Sequence, residues 1–557
     1  MLISAILVDL VHRAIRKAQV AGDLREFDIP EVVVQPPRNP AFGDLSTSVC
    51  LQMARPAGMA PLKVAQVVAS HLEAGEVVGK VEVVRPGFLN FTLSQDWLAR
   101  QVEVVNAASE MWGRVDVGQG KRVQVEYGSA NPTGPLHVGF GRNVVLGDGV
   151  ANVLAAAGYD VQREYYINDA GTQVQMLGES LYARYMELLG QGAAFPEEGY
   201  RGQYVVDWAQ QIVDAEGARY LDMPPAEAQE IMREIGLQKA VRSIHEDCAR
   251  LQIRYDNWFS EKSLYDGGTY DRIISLLRDK GLLYTGEGAV WFKAIRFGCD
   301  KDEVVVRSNG LPGYFASDMA YHYDKFIRRG FEWVIDVWGA DHQGHVPRMH
   351  AMMEALGLAP DALTLLLYQM VTVIQGGENV ILSKRQGTLV LFKELLDDVG
   401  PDATRFFLLQ RSADSQMDFD VDLAKKQSEE NPVYYVQYAH ARIASVLHTA
   451  EERGWADWSD GDVSLLTHPK ELDLIRKVLQ LPEVVARAAA ELAPHHLCYY
   501  AQELASAFHS FYQECRIVSS LPEDVALTKA RLKLVCAAQH ALANTLRILG
   551  VDAPDRM

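Results

Sequence analysis

The stretch KRVQVEYGSANPTGPLHVGFGRNVVLGDGVANVLAAAGYDVQREYYIND, residues 121–169, constrains the fold more than any other part of the chain. Val123, Val125 and Tyr127 alternate as in a β-strand. The Asn-Pro-Thr-Gly-Pro segment that follows can continue neither regular structure and must be a loop. Apolar spacing then predicts a long helix over about 138–157 and a second strand around 161–167. Strand, loop, helix and strand make one βαβ unit of a parallel sheet.

The rest of the 557 residues is too long for a single core, so about three or four domains are expected. A hydrophobic fraction of 48% and a charged fraction of 23% are ordinary for globular chains and argue against a disordered or fibrous one. No uncharged apolar run reaches the roughly eighteen residues a membrane span needs. The opening MLISAILVDLVHRAIRKA lacks a basic leading segment and is interrupted by Asp9, so it reads as an amphipathic helix over 2–21, not a signal peptide. Six scattered cysteines without a C-x-x-C pair argue against structural zinc and a disulfide framework, and fit a reducing cytoplasm. The net charge of −19 opposes a general coater of nucleic acid, yet it allows one basic face on an acidic body to grip a specific RNA.

Periodicity divides the chain. Residues 1–106 read as a compact α+β domain, with a helix over 62–73 and a strand-like run VEVVRPGFLNFTLS. Residues 107–395 hold the parallel sheet, interrupted by a mostly helical, charged insertion at about 170–290. Further strands are expected around 303–307, 333–338 and 364–374. A connector over 396–430 leads to 431–557, where the segments 431–452, 470–490, 494–518 and 523–549 have the apolar spacing of a helical bundle.

Three short constellations carry chemistry. At the strand-to-helix turn, Pro135-Leu136-His137-Val138-Gly139 offers backbone amides, a helix dipole and a histidine donor to a phosphate. Taken alone, a tight turn with a buried histidine explains it more simply. The loop Ile381-Leu382-Ser383-Lys384-Arg385 could fold over a triphosphate and neutralise charge as pyrophosphate leaves. Taken alone, it is a solvated basic loop. The third, Trp338-Gly339-Ala340-Asp341-His342-Gln343-Gly344-His345, lies where α/β sheets bind ligands, at a strand's carboxyl end. There Gly339 could admit an adenosine and Asp341 could accept from a ribose hydroxyl. Metal binding by His342 and His345 competes with that reading, but no third ligand is evident.

The order of these motifs resembles the class I aminoacyl-tRNA synthetases, PLHVG matching the first signature (usually HIGH) and ILSKR the second (usually KMSKS). The segments EYGSANPTGPLHVG, YYINDAGTQ, YFASDMAYHYDKF, DVWGADHQGH, NPVYYVQYAHARI and LRILGVDAPDRM resemble the arginyl-tRNA synthetases in particular, and NPAFGDLST resembles their additional N-terminal domain. This resemblance spans essentially the whole chain. It implies a Rossmann-like catalytic domain, an N-terminal domain that approaches the tRNA elbow, and a terminal bundle that reads the anticodon. It also implies that ATP, with Mg²⁺ on its phosphates, activates L-arginine to an adenylate, that the arginyl group passes to tRNA(Arg), and that activation requires bound tRNA.

By the same resemblance His137, Gly139, Ser383, Lys384 and Arg385 serve catalysis, Gly339, Asp341 and Met370 hold ATP with them, and Glu126, Asn131, Tyr314, Asp318 and Gln343 form the arginine pocket. The chemistry agrees, since carboxylates and planar acceptors read a guanidinium best. Multipoint recognition of a planar cation rejects analogues without an editing domain. Arg411, Lys425, Lys426 and Arg442 are candidate tRNA phosphate contacts. Of Tyr434, Tyr435 and Tyr438, helical spacing favours packing for Tyr434 and Tyr438. No resident metal is expected, and nothing requires more than a monomer.

Two residues depart from the family pattern. Phe140 stands where a second signature histidine is usual, and one lost donor to a transition-state phosphate typically costs about 10²–10³ in rate. Ile381 replaces the first lysine of the second signature, and the loop 128–136 has no Lys or Arg to compensate. Arg142 is the nearest candidate substitute. These departures admit a rival, a non-catalytic tRNA-binding paralogue. A small-molecule nucleotidyltransferase would not need the terminal bundle.

Overall fold

The computed structural model describes residues 2–379, 391–455 and 457–557. At the N-terminus the helix Ile3–Val20 buries Leu7, Leu10, Val11, Ala14 and Ile15 on one face. A four-stranded antiparallel sheet and the helices Val49–Ala57 and Pro61–Ser70 complete this core. The strand-like run at its end is a hairpin of Val78–Val84 with Phe88–Leu93, because Pro86 and Gly87 interrupt the ladder.

The central sheet is parallel throughout. Its strands are β1 (Arg122–Glu126), β2 (Asp160–Ile167), β3 (Asn257–Ser260), β4 (Trp333–Gly339) and β5 (Leu363–Tyr368), in spatial order β5-β4-β1-β2-β3. Helix α1 (Val138–Ala156) joins β1 to β2 and is buried nearly all round. A helix apolar on every side needs cover on every side, which the sheet and the terminal bundle supply. The chain leaves β1 towards β2 and later returns on its other flank as β4, so the β1/β4 boundary is the topological switch point where such sheets bind ligands.

Two assignments from periodicity shift. The segment 170–290 is mostly helical, but it also carries β3, an edge strand of the main sheet, and the hairpin Leu283–Gly286 with Ala289–Phe292. Glu303–Val306 pairs with that hairpin and not with the parallel sheet. Likewise Val371–Gln375 leaves the main sheet to pair with Met417–Asp420 of the connector. Short apolar runs do not encode which neighbour they pair with.

The terminal bundle comprises Pro432–Glu452, Pro469–Leu479, Leu481–Glu491, His495–Glu514 and Val525–Leu549. The run 470–490 is two helices, since Pro482 can enter a helix only in its first turn. Bundle and sheet share one continuous apolar core. Polar ties reinforce it: Asn544 donates its amide to the carbonyls of Ser109 and Trp112, each at 2.9 Å. The N-terminal domain docks on the bundle through Ser4 with Glu483 (2.7 Å) and Asp44 with Arg476 (2.7 Å). Among the described residues no helix is long and apolar enough to cross a membrane.

Candidate active site

His137 caps the start of α1 with extended backbone, φ −109° and ψ 160°. The residues just before the connector hold this turn in place: Phe392 N–H donates to Leu136 O at 2.8 Å, and Leu391 bridges to His137. Gly139 lies against the His137 ring and Met370. A side chain there would meet the ring at 3.0 Å and Met370 Cε at 3.4 Å. His137, Gly139 and Met370 therefore share one corner, at a helix N-terminus suited to phosphate.

A second corner lies at the end of β4. Gly339 and Asp341 are so close that a Cβ on the glycine would stand 2.3 Å from Asp341 Oδ1 and 3.9 Å from the Tyr368 hydroxyl. Asn143 of α1 ties the strand ends together, accepting from Gly128 N–H at 2.6 Å and donating to Val337 O at 2.8 Å. His342 and His345 are ring neighbours at 5.3 Å. No group of three His, Cys, Asp or Glu poised for a metal occurs among the described residues.

The third corner is acidic. Glu126, at the end of β1, is buried, and burial pushes its carboxyl above the ordinary range. Asp318, on α2 (Tyr314–Tyr323), is pushed up to about 6, chiefly by desolvation. Glu261, just after β3, is also raised by burial, although Ser317, Tyr166 and Tyr265 hydrogen-bond to it. Glu126 and Glu261 both act electrostatically on Asp318, and the field of all three reaches Tyr166. Glu261 had no signal in the sequence: it follows a short strand inside a segment that reads as helical.

The remaining candidates sit further out. Asn131, Tyr314 and Gln343 are exposed, and Tyr314 carries the Arg307 guanidinium 4.7 Å over its ring. Among the described residues no hydrogen bond joins these three to Glu126 or Asp318. Ser383, Lys384, Arg385 and Ile381 lie outside the described residues.

Arg142 is not a substitute phosphate contact. It is buried, and it donates to the carbonyls of Gln369 (2.6 Å), Ser412 (2.7 Å) and Ser415 (2.9 Å). Its cation fastens the segment bearing Met370 to the connector. Phe140 packs edge-on against His137 at 4.7 Å, so it supports the ring where a second donor is usual.

Of the tRNA candidates, Lys425 pairs with Asp398 (3.0 Å) and Lys426 with Glu430 (2.5 Å), while Arg411 is exposed. Exposed pairs of this kind open at small cost. Arg442 stacks on Tyr438 and Tyr512, at 4.9 and 5.0 Å, in a groove of about 1300 Å³ shared with Trp455, Trp458 and Arg516. All three tyrosines are half-buried: Tyr434 and Tyr438 stack on each other at one helical turn, and Tyr435 packs on the core.

A parallel sheet with a switch-point crevice, a phosphate-type helix turn and an appended helical bundle together define the architecture of a class I tRNA synthetase. Residues 103–419 match the family described as tRNA synthetases class I (R), catalytic domain. Residues 5–93 match the arginyl tRNA synthetase N terminal domain, and 436–557 the DALR anticodon binding domain. An arginine–tRNA ligase of Dehalococcoides mccartyi is 48% identical over 555 residues, covering 100% of this chain and 99% of that protein. One from Caldanaerobacter subterraneus is 46% identical, covering 99% and 98%. Thermus thermophilus arginyl-tRNA synthetase superposes over 100% of each chain with a TM-score of 0.77 at 23% identity, a likeness of fold. The chain belongs to the arginyl-tRNA synthetase family.

Proposed function

We propose that the protein joins L-arginine to tRNA(Arg) at the expense of ATP. The observation that carries this reading is the meeting, around one switch point, of a phosphate-type turn and a cluster of carboxyls, two buried and one half-buried. ATP lies with its phosphates at His137 and Gly139, bordered by Met370, and with its adenosine against Gly339, where Asp341 accepts from the ribose. Mg²⁺ enters as part of the ATP substrate, coordinated by its phosphates. Glu126 and Asp318 face the cationic groups of arginine, with Asn131, Tyr314 and Gln343 closing on it from their exposed positions. Ser383, Lys384 and Arg385 complete the phosphate side.

The arginine carboxylate attacks the α-phosphorus, the bond to pyrophosphate breaks, and an arginyl-adenylate remains. A hydroxyl of the tRNA's terminal ribose then attacks the carbonyl carbon, and AMP leaves. Donors at the helix start act on the charge that develops on phosphate oxygens, which is where electrostatic stabilisation is most effective. Buried carboxyls that lose a paired cation are costly, so an uncharged analogue is rejected strongly.

The division of labour follows the chain. Residues 1–106 approach the tRNA, 107–395 catalyse, 396–430 connect, and 431–557 read the anticodon, with Arg411, Lys425, Lys426 and Arg442 meeting tRNA phosphates. The protein works as a cytoplasmic monomer, and its six cysteines are free thiols. The non-catalytic alternative would have little reason to keep both a nucleotide corner and an acidic corner. Arginine-dependent exchange of pyrophosphate into ATP tests the scheme. It should occur with tRNA(Arg) present and be lost without it. Rapid exchange in the absence of tRNA would contradict the tRNA requirement.

A further inference from the structure

Lys325 is completely buried beneath the acidic corner. Its ammonium donates to Glu126 Oε2 at 2.5 Å and to Asp336 Oδ1 at 2.8 Å, and it lies 4.1 Å over the Tyr321 ring. The π-helical turn Asp324–Arg328 presents it there. Glu126 and Asp336 are direct partners on adjacent strands β1 and β4. Two carboxylates side by side in a buried sheet repel each other unless a cation bridges them.

We propose that Lys325 is a positioning residue for arginine recognition, fixing the Glu126 carboxylate in place for the cationic substrate. This rests on the reading of Glu126 as an arginine contact. Both oxygens of Glu126 are oriented: Oε2 by Lys325, and Oε1 by the Ser129 hydroxyl at 3.0 Å, which itself accepts from Tyr166 N–H at 3.1 Å. An ionised carboxylate offers about four acceptor sites, so roughly half stay open to the substrate.

The surrounding charges suit that role. His322 presents one ring nitrogen to Asp336 Oδ2 (2.9 Å) and the other to the backbone carbonyl of Asp318 on its own helix (2.8 Å), which tethers that helix to β4. Glu164 is engaged by Arg329 and Tyr321, and Asp324 by Arg328 and Arg329. Arg348 approaches Asp318 at 3.8 Å. Among the described residues Lys325 is thus the cation in direct contact with Glu126. Burial and the neighbouring Asp336 both disfavour charge on Glu126, and Lys325 is the largest influence opposing them.

The test is a double-mutant cycle on the KM for arginine in tRNA charging, with the KM for ATP as control. Glu126→Gln, Lys325→Met and the double variant are compared from pH 6.5 to about 9. Loss of a charged hydrogen bond predicts a rise of about 10- to 100-fold in arginine KM for Lys325→Met, with ATP KM changed less than about threefold. The defect should shrink as pH rises and Glu126 regains its charge. In the Glu126→Gln background, removing Lys325 should add less than about threefold, because Lys325 acts through Glu126. The double variant also relieves the stranded carboxylate, so it gives the answer if Lys325→Met alone does not fold. An unchanged arginine KM in Lys325→Met, or a large further loss in the double variant, overturns the proposal while the Glu126 reading stands. An unchanged arginine KM in Glu126→Gln overturns the Glu126 reading itself, and the proposal with it.

Discussion

Replacing Gly339 by alanine should weaken ATP and spare the fold. The Gly339 backbone, at φ −62° and ψ 147°, is open to any residue, so alanine introduces no backbone strain. A Cβ there would stand 2.3 Å from Asp341 Oδ1, more than about 1 Å inside normal contact. The atom that must yield belongs to a side chain 72% exposed, which can swing into solvent. Stability should therefore change by less than about 0.5 kcal/mol. If Asp341 accepts from the ribose, displacing it forfeits a charged hydrogen bond of about 1.5–3 kcal/mol. That corresponds to about a 10- to 150-fold loss in kcat/KM for ATP. Initial charging rates over a range of ATP, at saturating arginine, measure the loss, and a urea titration measures stability. Asp341→Ala should show a similar loss, and the double variant little more than either single change. Unaltered ATP kinetics in Gly339→Ala, or a loss of stability beyond about 2 kcal/mol, would refute the reasoning.

Three further predictions follow from the same geometry. Arg405 is fully buried, donating to Leu549 O and Leu251 O, each at 2.9 Å, and to Asp148. Arg405→Met should therefore cost about 3–5 kcal/mol in denaturant unfolding, with a cost under about 1 kcal/mol contradicting a structural role. With Asp318 raised to about 6, acid neutralises the carboxylate that the proposed function sets against the cationic substrate, so on that reading arginine KM should rise as pH falls through 6, about tenfold by pH 5. Asp318→Asn should raise the KM at neutral pH and flatten that profile, and a wild-type profile flat from pH 8 to 5 would exclude the role. Phe140→Ala removes the edge contact to His137, worth about 0.5–1.5 kcal/mol, so kcat should fall roughly two- to tenfold in single-turnover charging. An unchanged kcat would show that Phe140 does not hold the ring.

What the sequence made legible follows from what each signal encodes. The βαβ unit was readable because alternation in β1 and continuous apolar spacing in α1 report burial directly. The turn at His137 was readable because proline and glycine leave few conformations open. Pairing partners were not readable. Residues 257–260 form the edge strand β3, yet their four residues carry no pattern that distinguishes this sheet from the nearby antiparallel one. The same limit applied to charges. Arg142 looked like a free cation beside a phosphate turn, but its partners are carbonyls more than two hundred residues away. Glu261 and Lys325 escaped notice because a buried ion network depends on tertiary proximity. The one local clue to Lys325 is a lysine directly after a helix that already carries Asp318 and His322 among apolar residues in YFASDMAYHYDKF.

The central claim is that this site attaches arginine to its tRNA despite Phe140 and Ile381. The most direct measurement is the transfer of labelled arginine by the purified protein to tRNA(Arg), with lysine and citrulline as competing substrates and Phe140→His in parallel. The account predicts multiple turnovers with arginine, none with lysine or citrulline, and activity in the unmodified protein. Tight tRNA binding without charging by either form would contradict it and favour a non-catalytic binder.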